Sequence, residues 1–551
     1  MDTADVRRKR IRFPGLRPPF GRRIQNTDGG IYVKNYKELQ NGSDIRGVAL
    51  EGVEGQHVNL TAEAAADLVM GFADWICEKQ QREKETLTVA LGRDSRISGT
   101  DLLKACAERL ASSGVVVLDC GMASTPAMFM STVFPESNAD GAVMITASHL
   151  PFNRNGLKFF TKNGGLDKKD ISALIGIAET ETDAADLPGR CMGALVPFPL
   201  MRLYCSHLRR IICEGLSCKE EAKPLSSMHI VCDAGNGAGG FYVRQVLEPL
   251  GADCSGSLYL DPDGTFPNHQ PNPENEEAMN CICAAAKAAG ADLGIIFDTD
   301  VDRAAAVDSA GAPIARNGIV ALAAVLASEG HPGTTIVTDS ITSTQLGTFL
   351  TGSLGLHHLR FKRGYRNVIN KAIELNAAGT DCQLAIETSG HAALKENYFL
   401  DDGAYLATKI VVKAAQLKAE GRTIESLMAE MKEPLEAKEF RLAVNAEDFS
   451  AYAGGILEEL EKWIGQGECT EDHPCGGRCR CGMTLEEPNY EGIRVNLDRI
   501  NGDGWFLLRK SLHDPIMPLN IESNRSGGVE IIAKKVKALL AQYEQLDTGM
   551  L

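Results

Sequence analysis

Short apolar runs alternate with longer amphipathic ones along most of this chain. The run "LTVALG" reads as a strand, "TDLLKACAERLASSG" as a helix and "VVVLDCG" as the next strand, which is an α/β rhythm. The rhythm restarts at "HIVCDAGNGAGGFYVRQVLEPLGA" followed by "LGIIFD", and again at "TTIVTDS" followed by "LAIETSG". Polar or proline-containing connectors separate these units near Glu221–Ser227, Ala312–Asn317 and Glu433–Ala437. After Pro434 the pattern changes to a strand "EFRLAVNA", a helix "GGILEELEKWI", a glycine- and cysteine-rich loop, and the strands "EGIRVNLD" and "GWFLLRKS". Three α/β units and a smaller C-terminal α+β domain are therefore expected. The boundaries drawn from this pattern are an arm over 1–35 and domains over 36–222, 223–315, 316–433 and 434–551, the last with a cysteine-rich insertion near 465–490.

The length, 551 residues, exceeds what one hydrophobic core serves and agrees with several domains. No apolar run approaches the roughly 18 residues of a membrane span, so a soluble protein is expected. A net charge of −16 excludes nucleic acid as the natural partner, and a phosphorylated substrate would need a locally positive site. The 16 scattered cysteines read as reduced thiols of an intracellular protein. The N-terminal arm carries eight Arg or Lys between Arg7 and Arg23, either a targeting segment, a nuclear-type basic cluster or a disordered tail. Cys469, Cys475, Cys479 and Cys481, with His473, lack the paired C-x-x-C spacing of a usual zinc site; zinc and a loop of reduced thiols are the two readings.

The most specific local signal is "FDTDVDRAAAVD". Asp298, Asp300 and Asp302 follow an apolar strand at alternate positions, so their oxygens can converge on one hard cation, with Mg²⁺ favoured. An EF-hand fails on Arg303 and Ser309, which stand where that loop needs Gly and Glu. An aspartyl-phosphate hydrolase motif is weakened by Asp302, and a purely structural acidic turn would leave three carboxylates repelling one another. In "ITASHLPFNRNGLKFF", Ser148 sits at a strand-to-turn junction where backbone N–H groups can face an anion, with His149 and Lys158 adding positive charge or proton transfer. Taken alone, that serine reads first as a helix N-cap. "IETSGH" brings Glu387, Ser389 and His391 to another strand end, a set suited to sugar hydroxyls. "GWFLLRKSLHDP" offers Arg509, Lys510, Ser511 and His513 as a phosphate clamp. A rival signal, G-x-G-x-x-G at Gly235, Gly237 and Gly240 with Asp261 downstream, would read on its own as a dinucleotide fold.

Taken in order, these segments resemble the α-D-phosphohexomutase superfamily of phosphoglucomutases and phosphomannomutases. "GSDIRG", "LGRDSRISG", "TASH…NGLK", "DAGNGAGG", "PDGTFPNHQPNPE", "DTDVDR", "ETSGH" and the Arg-x-Ser loop follow that family's order from about Asn41 to Pro515. The resemblance implies four domains around a central cleft, three of related α/β type and a fourth that closes over the substrate. It implies that Ser148 carries a transferable phosphate, that Asp298, Asp300, Asp302 and a phosphoserine oxygen bind Mg²⁺, and that Lys158 transfers protons. Arg46, His149 and Arg303 would line the phosphoserine. Glu387 and Ser389 would bind the sugar, with His391 in the same loop and "RGYR" at Arg363–Arg366 as a specificity loop. Arg509 and Ser511 would anchor the substrate's other phosphate.

Two departures stand out: Leu150 replaces the Asn usual after "TASH", and Ser511-Leu512-His513-Asp514-Pro515 replaces the usual Ser-(Gly/Asn)-Thr-Glu-Pro. The second removes a hydroxyl donor, which His513 is positioned in sequence to replace. The variant loop is similar to those of a plant and algal branch, so a plastid stands beside the cytoplasm as an expected location. The implied reaction interconverts hexose 1-phosphate and hexose 6-phosphate, of glucose or mannose, through phosphoserine and a hexose 1,6-bisphosphate intermediate. The competing class is a phosphosugar-binding sensor or scaffold, supported by the altered loop. The oligomeric state has no signature in the sequence.

Overall fold

A continuous buried run builds the first sheet around "TVALGR", where Val89, Ala90 and Leu91 are all buried, as in a strand covered on both faces. In the computed structural model, which describes residues 34–180, 192–467, 479–511 and 514–551, this run is β2 (Thr88–Arg93) of an eight-stranded mixed sheet. The other main strands are β1 (Asp44–Val48), β3 (Val116–Met122), β4 (Gly141–Ile145), β5 (Arg154–Thr161) and β6 (Leu195–Pro197), ordered β1-β5-β4-β2-β3-β6. β2 runs parallel to β3 and β4, while β5 returns antiparallel between β4 and β1. That return places the Ser148 turn at the joint between β4 and β5. Helices Ala62–Gln80, Gly99–Ser112 and Lys168–Thr180 contribute to one core with Phe72, Ile76, Leu110 and Phe159.

The second sheet orders β7 (Ile230–Asp233), β8 (Leu293–Phe297), β9 (Ala304–Val307) and β10 (Pro313–Ile314) as β10-β9-β8-β7. β7 and β8 are parallel, whereas β8 and β9 form a hairpin, pairing Phe297 with Ala304. The six residues between them are the acidic run. Three parallel strands of the third sheet, β11 (Thr335–Thr338), β12 (His357–Arg360) and β13 (Cys382–Ile386), lie in the order β12-β11-β13. The C-terminal sheet is antiparallel: β14 (Glu436–Ala443), β15 (Met483–Leu485), β16 (Ile493–Leu497), β17 (Gly504–Leu508) and β18 (Ile516–Ser523), ordered β14-β18-β17-β16-β15. Helices Phe449–Ile464 and Gly528–Leu540 share its core, with Phe506, Ile532 and Val536 buried.

The fold is thus three α/β sheets followed by an antiparallel C-terminal domain, the phosphohexomutase arrangement expected above. The described residues form two compact units: those up to Ala315 with Ser389–Ala393 and Asn397–Ile424, and Arg316–Thr388 with Leu394–Glu396 and the described residues from Glu425 to Leu551. Local differences from the sequence reading have simple causes. The stretch after the glycine run is not one regular helix: Tyr242–Leu247 is π-helical and Glu248–Leu250 is a 3₁₀ turn, ended by Gly251 at φ 94° and constrained by Pro249, which has no N–H to donate. The connector Ala312–Asn317 contains β10. No helix of the described residues is long and apolar enough to cross a membrane.

Candidate functional site

The β8–β9 turn packs three carboxylates into a buried space. Asp298 and Asp300 are fully buried and Asp302 is 1% exposed, and one oxygen from each lies within 4.8 Å of the others. Val301 takes φ 65° at the turn's centre, a costly conformation for a β-branched residue and one that clusters at functional sites. Burial, reinforced by the Asp302 and Asp300 charges, pushes the Asp298 carboxyl well above its usual range. Burial opposes the Asp302 charge too, but Lys158, His391 and Arg303 outweigh it and hold that carboxyl below its usual range. Oδ1 of Asp300 and Oδ1 of Asp302 are buried without a hydrogen-bond partner. Orphaned carboxylate oxygens in an all-oxygen donor set fit a hard cation such as Mg²⁺.

Ser148 meets this cluster from the β4–β5 turn. It adopts φ 49° and is 8% exposed. Its Oγ donates to Asp298 Oδ2 at 2.8 Å and accepts from Arg303 Nη2 at 3.1 Å, while its N–H donates to Thr146 Oγ1 at 2.9 Å. His149 Nδ1 accepts from Arg303 Nη2 at 2.6 Å, a role for a neutral imidazole. Burial, then the Arg303 and Arg46 charges, pushes His149 down to about 3, in keeping with that neutrality. Lys158, on β5, is buried with its ammonium 3.1 Å from Asp300 Oδ2 and in contact with Asp302 Oδ2. Arg46, on β1, donates to the Thr146 carbonyl at 2.6 Å and to Asp44 at 2.8 Å, supporting the turn's stem.

His391 belongs to the same assembly. Its backbone bridges Arg303, and its Nδ1 lies 2.5 Å from Asp401 Oδ2 and 4.0 Å from Asp302 Oδ1. Burial opposes the imidazolium, but Asp401 and Asp302 raise it to about 9. The sequence reading grouped His391 with Glu387; the structure gives it the company of the acidic turn. Ser389 is buried, and the Gly390 carbonyl beside it accepts from Ala304 N.

The second compact unit holds the remaining candidates. Glu387 is 5% exposed, and its Oε1 accepts from Gly364 N at 2.6 Å, which ties it to the Arg363–Arg366 loop. Arg363 N donates to Glu491 Oε2 at 3.1 Å. Buried Asp339, beside Glu387, is pushed up to about 7 by burial and by that neighbour's charge. Arg509 lies at the end of β17, and burial followed by the Arg363 charge lowers its guanidinium. Ser511 N donates to the Ile516 carbonyl and its Oγ accepts from Asp514 N at 3.1 Å. His513, Cys469, His473, Cys475 and residues 1–33 of the basic arm lie outside the described residues; Cys479 is exposed and Cys481 half-buried.

Residues 37–185, 203–311 and 316–434 match, in turn, the alpha/beta/alpha domains I, II and III of phosphoglucomutase/phosphomannomutase. A phosphomannomutase/phosphoglucomutase of Pseudomonas aeruginosa is 30% identical over 81% of this chain and 85% of its own. The chain belongs to the phosphoglucomutase/phosphomannomutase family. A phosphoglucomutase of Neisseria gonorrhoeae is 28% identical over 93% of this chain and 98% of its own. Among solved structures, a phosphoglucomutase/phosphomannomutase family protein from Burkholderia thailandensis shares the fold with a TM-score of 0.70 at 24% identity, covering 92% of this chain and 98% of its own.

Within this phosphohexomutase fold, several residues were not singled out from the sequence. Arg96 is 1% exposed and donates to the carbonyls of Ser148, Leu150, Pro151 and Arg154, so one guanidinium holds the whole Ser148 turn. It lies inside "LGRDSRISG", but a buried arginine leaves no periodicity. Thr125 donates to Asp300 Oδ2 at 2.5 Å and, through its N–H, to the Asp300 carbonyl at 2.8 Å. Its signal was "STP", an N-cap Ser124 followed by Pro126, which starts the short helix Thr125–Met130 facing the acidic turn. Asn272 accepts from Arg303 Nη1 at 3.0 Å. The G-x-G-x-x-G run has a packing cause: a Cβ on Gly237 would stand 2.7 Å from the Thr299 carbonyl oxygen, and Ala238 N donates to that carbonyl. Gly237 thus seats the acidic turn, while a Cβ on Gly235 would meet Pro271 and one on Gly240 the Leu260 carbonyl; a dinucleotide fold would instead use such glycines to approach a pyrophosphate.

Proposed function

We propose that this protein is a phosphohexomutase that interconverts hexose 1-phosphate and hexose 6-phosphate, with glucose or mannose as the hexose. The carrying observation is the Ser148 hydroxyl, hydrogen-bonded at once to Asp298 and Arg303 beside two buried carboxylate oxygens that accept no hydrogen bond. We also retain the four-domain division at 36–222, 223–315, 316–433 and 434–551 as part of this reading.

In the resting enzyme Ser148 carries a phosphoryl group. The Oγ–P bond breaks as a sugar hydroxyl oxygen bonds phosphorus, giving a hexose 1,6-bisphosphate; after the bisphosphate turns over, its other phosphate returns to Ser148. Such transfers demand mainly alignment and charge neutralisation. Mg²⁺, held by Asp298, Asp300, Asp302 and a phosphoserine oxygen, would neutralise charge on the transferring group. Arg303 donates to the equatorial oxygens, with Arg46 and neutral His149 lining the phosphoserine. Lys158 exchanges the proton of the attacking or departing hydroxyl. Glu387 and Ser389 receive sugar hydroxyls, His391 stands beside the transferring phosphate, and Arg363 and Arg366 with Arg509, Ser511 and His513 hold the phosphate that is not reacting.

The test is a coupled assay of the full chain with a panel of hexose 1-phosphates, Mg²⁺ and a trace of hexose 1,6-bisphosphate. Turnover of glucose 1-phosphate or mannose 1-phosphate supports the reading. Tight phosphosugar binding with no turnover of any member would instead make the protein a sensor.

A further inference from the structure

Glu491 is absent from the functional roles assigned so far, yet it touches both arginine-bearing segments of the second unit. It precedes β16, and the β16–β17 ladder pairs Ile493 with Leu508, which brings Gly492 opposite Arg509. The fit there is close: at Gly492, which has φ 56°, an added Cβ would stand 2.9 Å from both Cα and Cβ of Arg509. The Glu491 turn is therefore pressed against the backbone that carries the Arg509 guanidinium.

From that turn the Glu491 carboxylate reaches the other segment. Its Oε2 accepts from Arg363 N at 3.1 Å and from the Ser340 hydroxyl. Ser340 is held from a second side, because Arg494 Nη1 donates to its carbonyl at 2.8 Å. The next amide of the Arg363 loop, Gly364 N, donates to Glu387. Two consecutive N–H groups at the start of helix Tyr365–Ala377 are thus each fixed by a carboxylate, a favourable placement for anions.

Arg363 and Arg509 repel one another, and Glu491 is among the acids that offset this. Left alone, like charges on two separate segments would spread. We propose that Glu491 is a positioning residue: it holds the Arg363 loop and the Arg509 strand end at one separation, so that a substrate phosphate meets both arginines already in place. This deepens the phosphohexomutase reading and rests on it.

The experiment compares wild type, Glu491→Ala, Glu491→Gln, Ser340→Ala, Arg509→Ala and the Glu491→Ala/Arg509→Ala double variant, by steady-state assay and by calorimetric binding of glucose 1,6-bisphosphate. Glu491→Ala should raise KM and Kd about tenfold or more, with kcat changed less than about threefold, since a charged acceptor of two donors is lost. Glu491→Gln, whose amide oxygen still accepts both donors, should stay within about threefold of wild type. The double variant should fall well short of the summed losses of the two single variants, because the strut acts in part through that arginine. Ser340→Ala, a milder deletion, should raise Kd about threefold with an unchanged melting temperature, and it carries the test should Glu491→Ala not fold. KM and Kd unchanged in Glu491→Ala or Ser340→Ala, equal losses in the Ala and Gln variants, or fully additive effects in the double variant would each overturn the proposal. A wild type that binds the bisphosphate without turnover contradicts the mutase reading while the Kd values still decide Glu491; one that neither binds nor turns over overturns both.

Discussion

Ser148 Oγ and Asp298 Oδ2 are 2.8 Å apart, although 150 residues separate them and they come from different sheets. On the proposed reading, this contact between a hydroxyl and a carboxylate that burial holds toward its protonated form is the one that phosphorylation of the Ser148 oxygen and a bound cation would replace.

Asp300→Asn removes one charge from the acidic turn and leaves its shape. Mg²⁺ affinity and mutase activity should fall by on the order of 100-fold, because a hard cation loses an anionic ligand. The melting temperature measured without metal should hold or rise, since three buried carboxylates become two. Wild-type activity in this variant, or in wild type stripped with a chelator, would remove the turn from the mechanism.

Arg96→Ala leaves four carbonyls of the Ser148 turn without their donor and Asp94 without its partner at 3.3 Å. A loss of roughly 3–5 kcal/mol in chemical denaturation is expected, typical of breaking a buried charged network. A change under about 1 kcal/mol would mean that the turn holds itself.

Arg509→Ala should reduce kcat/KM by the equivalent of about 2–4 kcal/mol, the loss of a charge-assisted clamp on phosphate. A few tenths would show that the variant loop around Ser511 no longer holds the substrate's phosphate.

Stability should depend on pH through His269, whose Nε2 lies 2.9 Å from Asp233 Oδ2. Burial opposes the imidazolium, but the hydrogen bond and charge of Asp233 outweigh it and raise the group above its usual value. Its contribution is therefore fully present below about pH 6.5, the unfolded value, and is lost as pH rises through the folded one. The gap in unfolding free energy between wild type and His269→Gln should be wider at pH 6 than at pH 9. An equal gap at both would mean that His269 is neutral throughout.

The elements themselves were plain in the sequence, because apolar runs such as Leu293–Phe297 and Cys382–Ile386 are buried strands bounded by polar turns. The acidic turn was equally legible, since its spacing and its position after a strand are local facts. What periodicity could not convey is long-range pairing. Arg96 meets Ser148 across 52 residues, and Thr125 meets Asp300 across 175, through contacts that exist only once the sheets have formed. His391 was read with Glu387 because they are four residues apart, whereas the bridge to Arg303 sets its surroundings. Glu491 carried no signal at all: a half-buried glutamate before a strand reads as surface until its acceptor role is seen.

The central claim is that Ser148 is the phosphate carrier, and mass spectrometry of the Ser148 peptide tests it most directly. Protein incubated with ³²P- or ¹⁸O-labelled hexose 1,6-bisphosphate should gain one phosphoryl group on that peptide, and unlabelled hexose phosphate should remove the label. Ser148→Ala should show neither label nor turnover, a loss far beyond the roughly 1 kcal/mol of a missing hydrogen bond, because the covalent route itself is gone. A Ser148 that never carries phosphate, in protein that still interconverts hexose phosphates, would contradict the account.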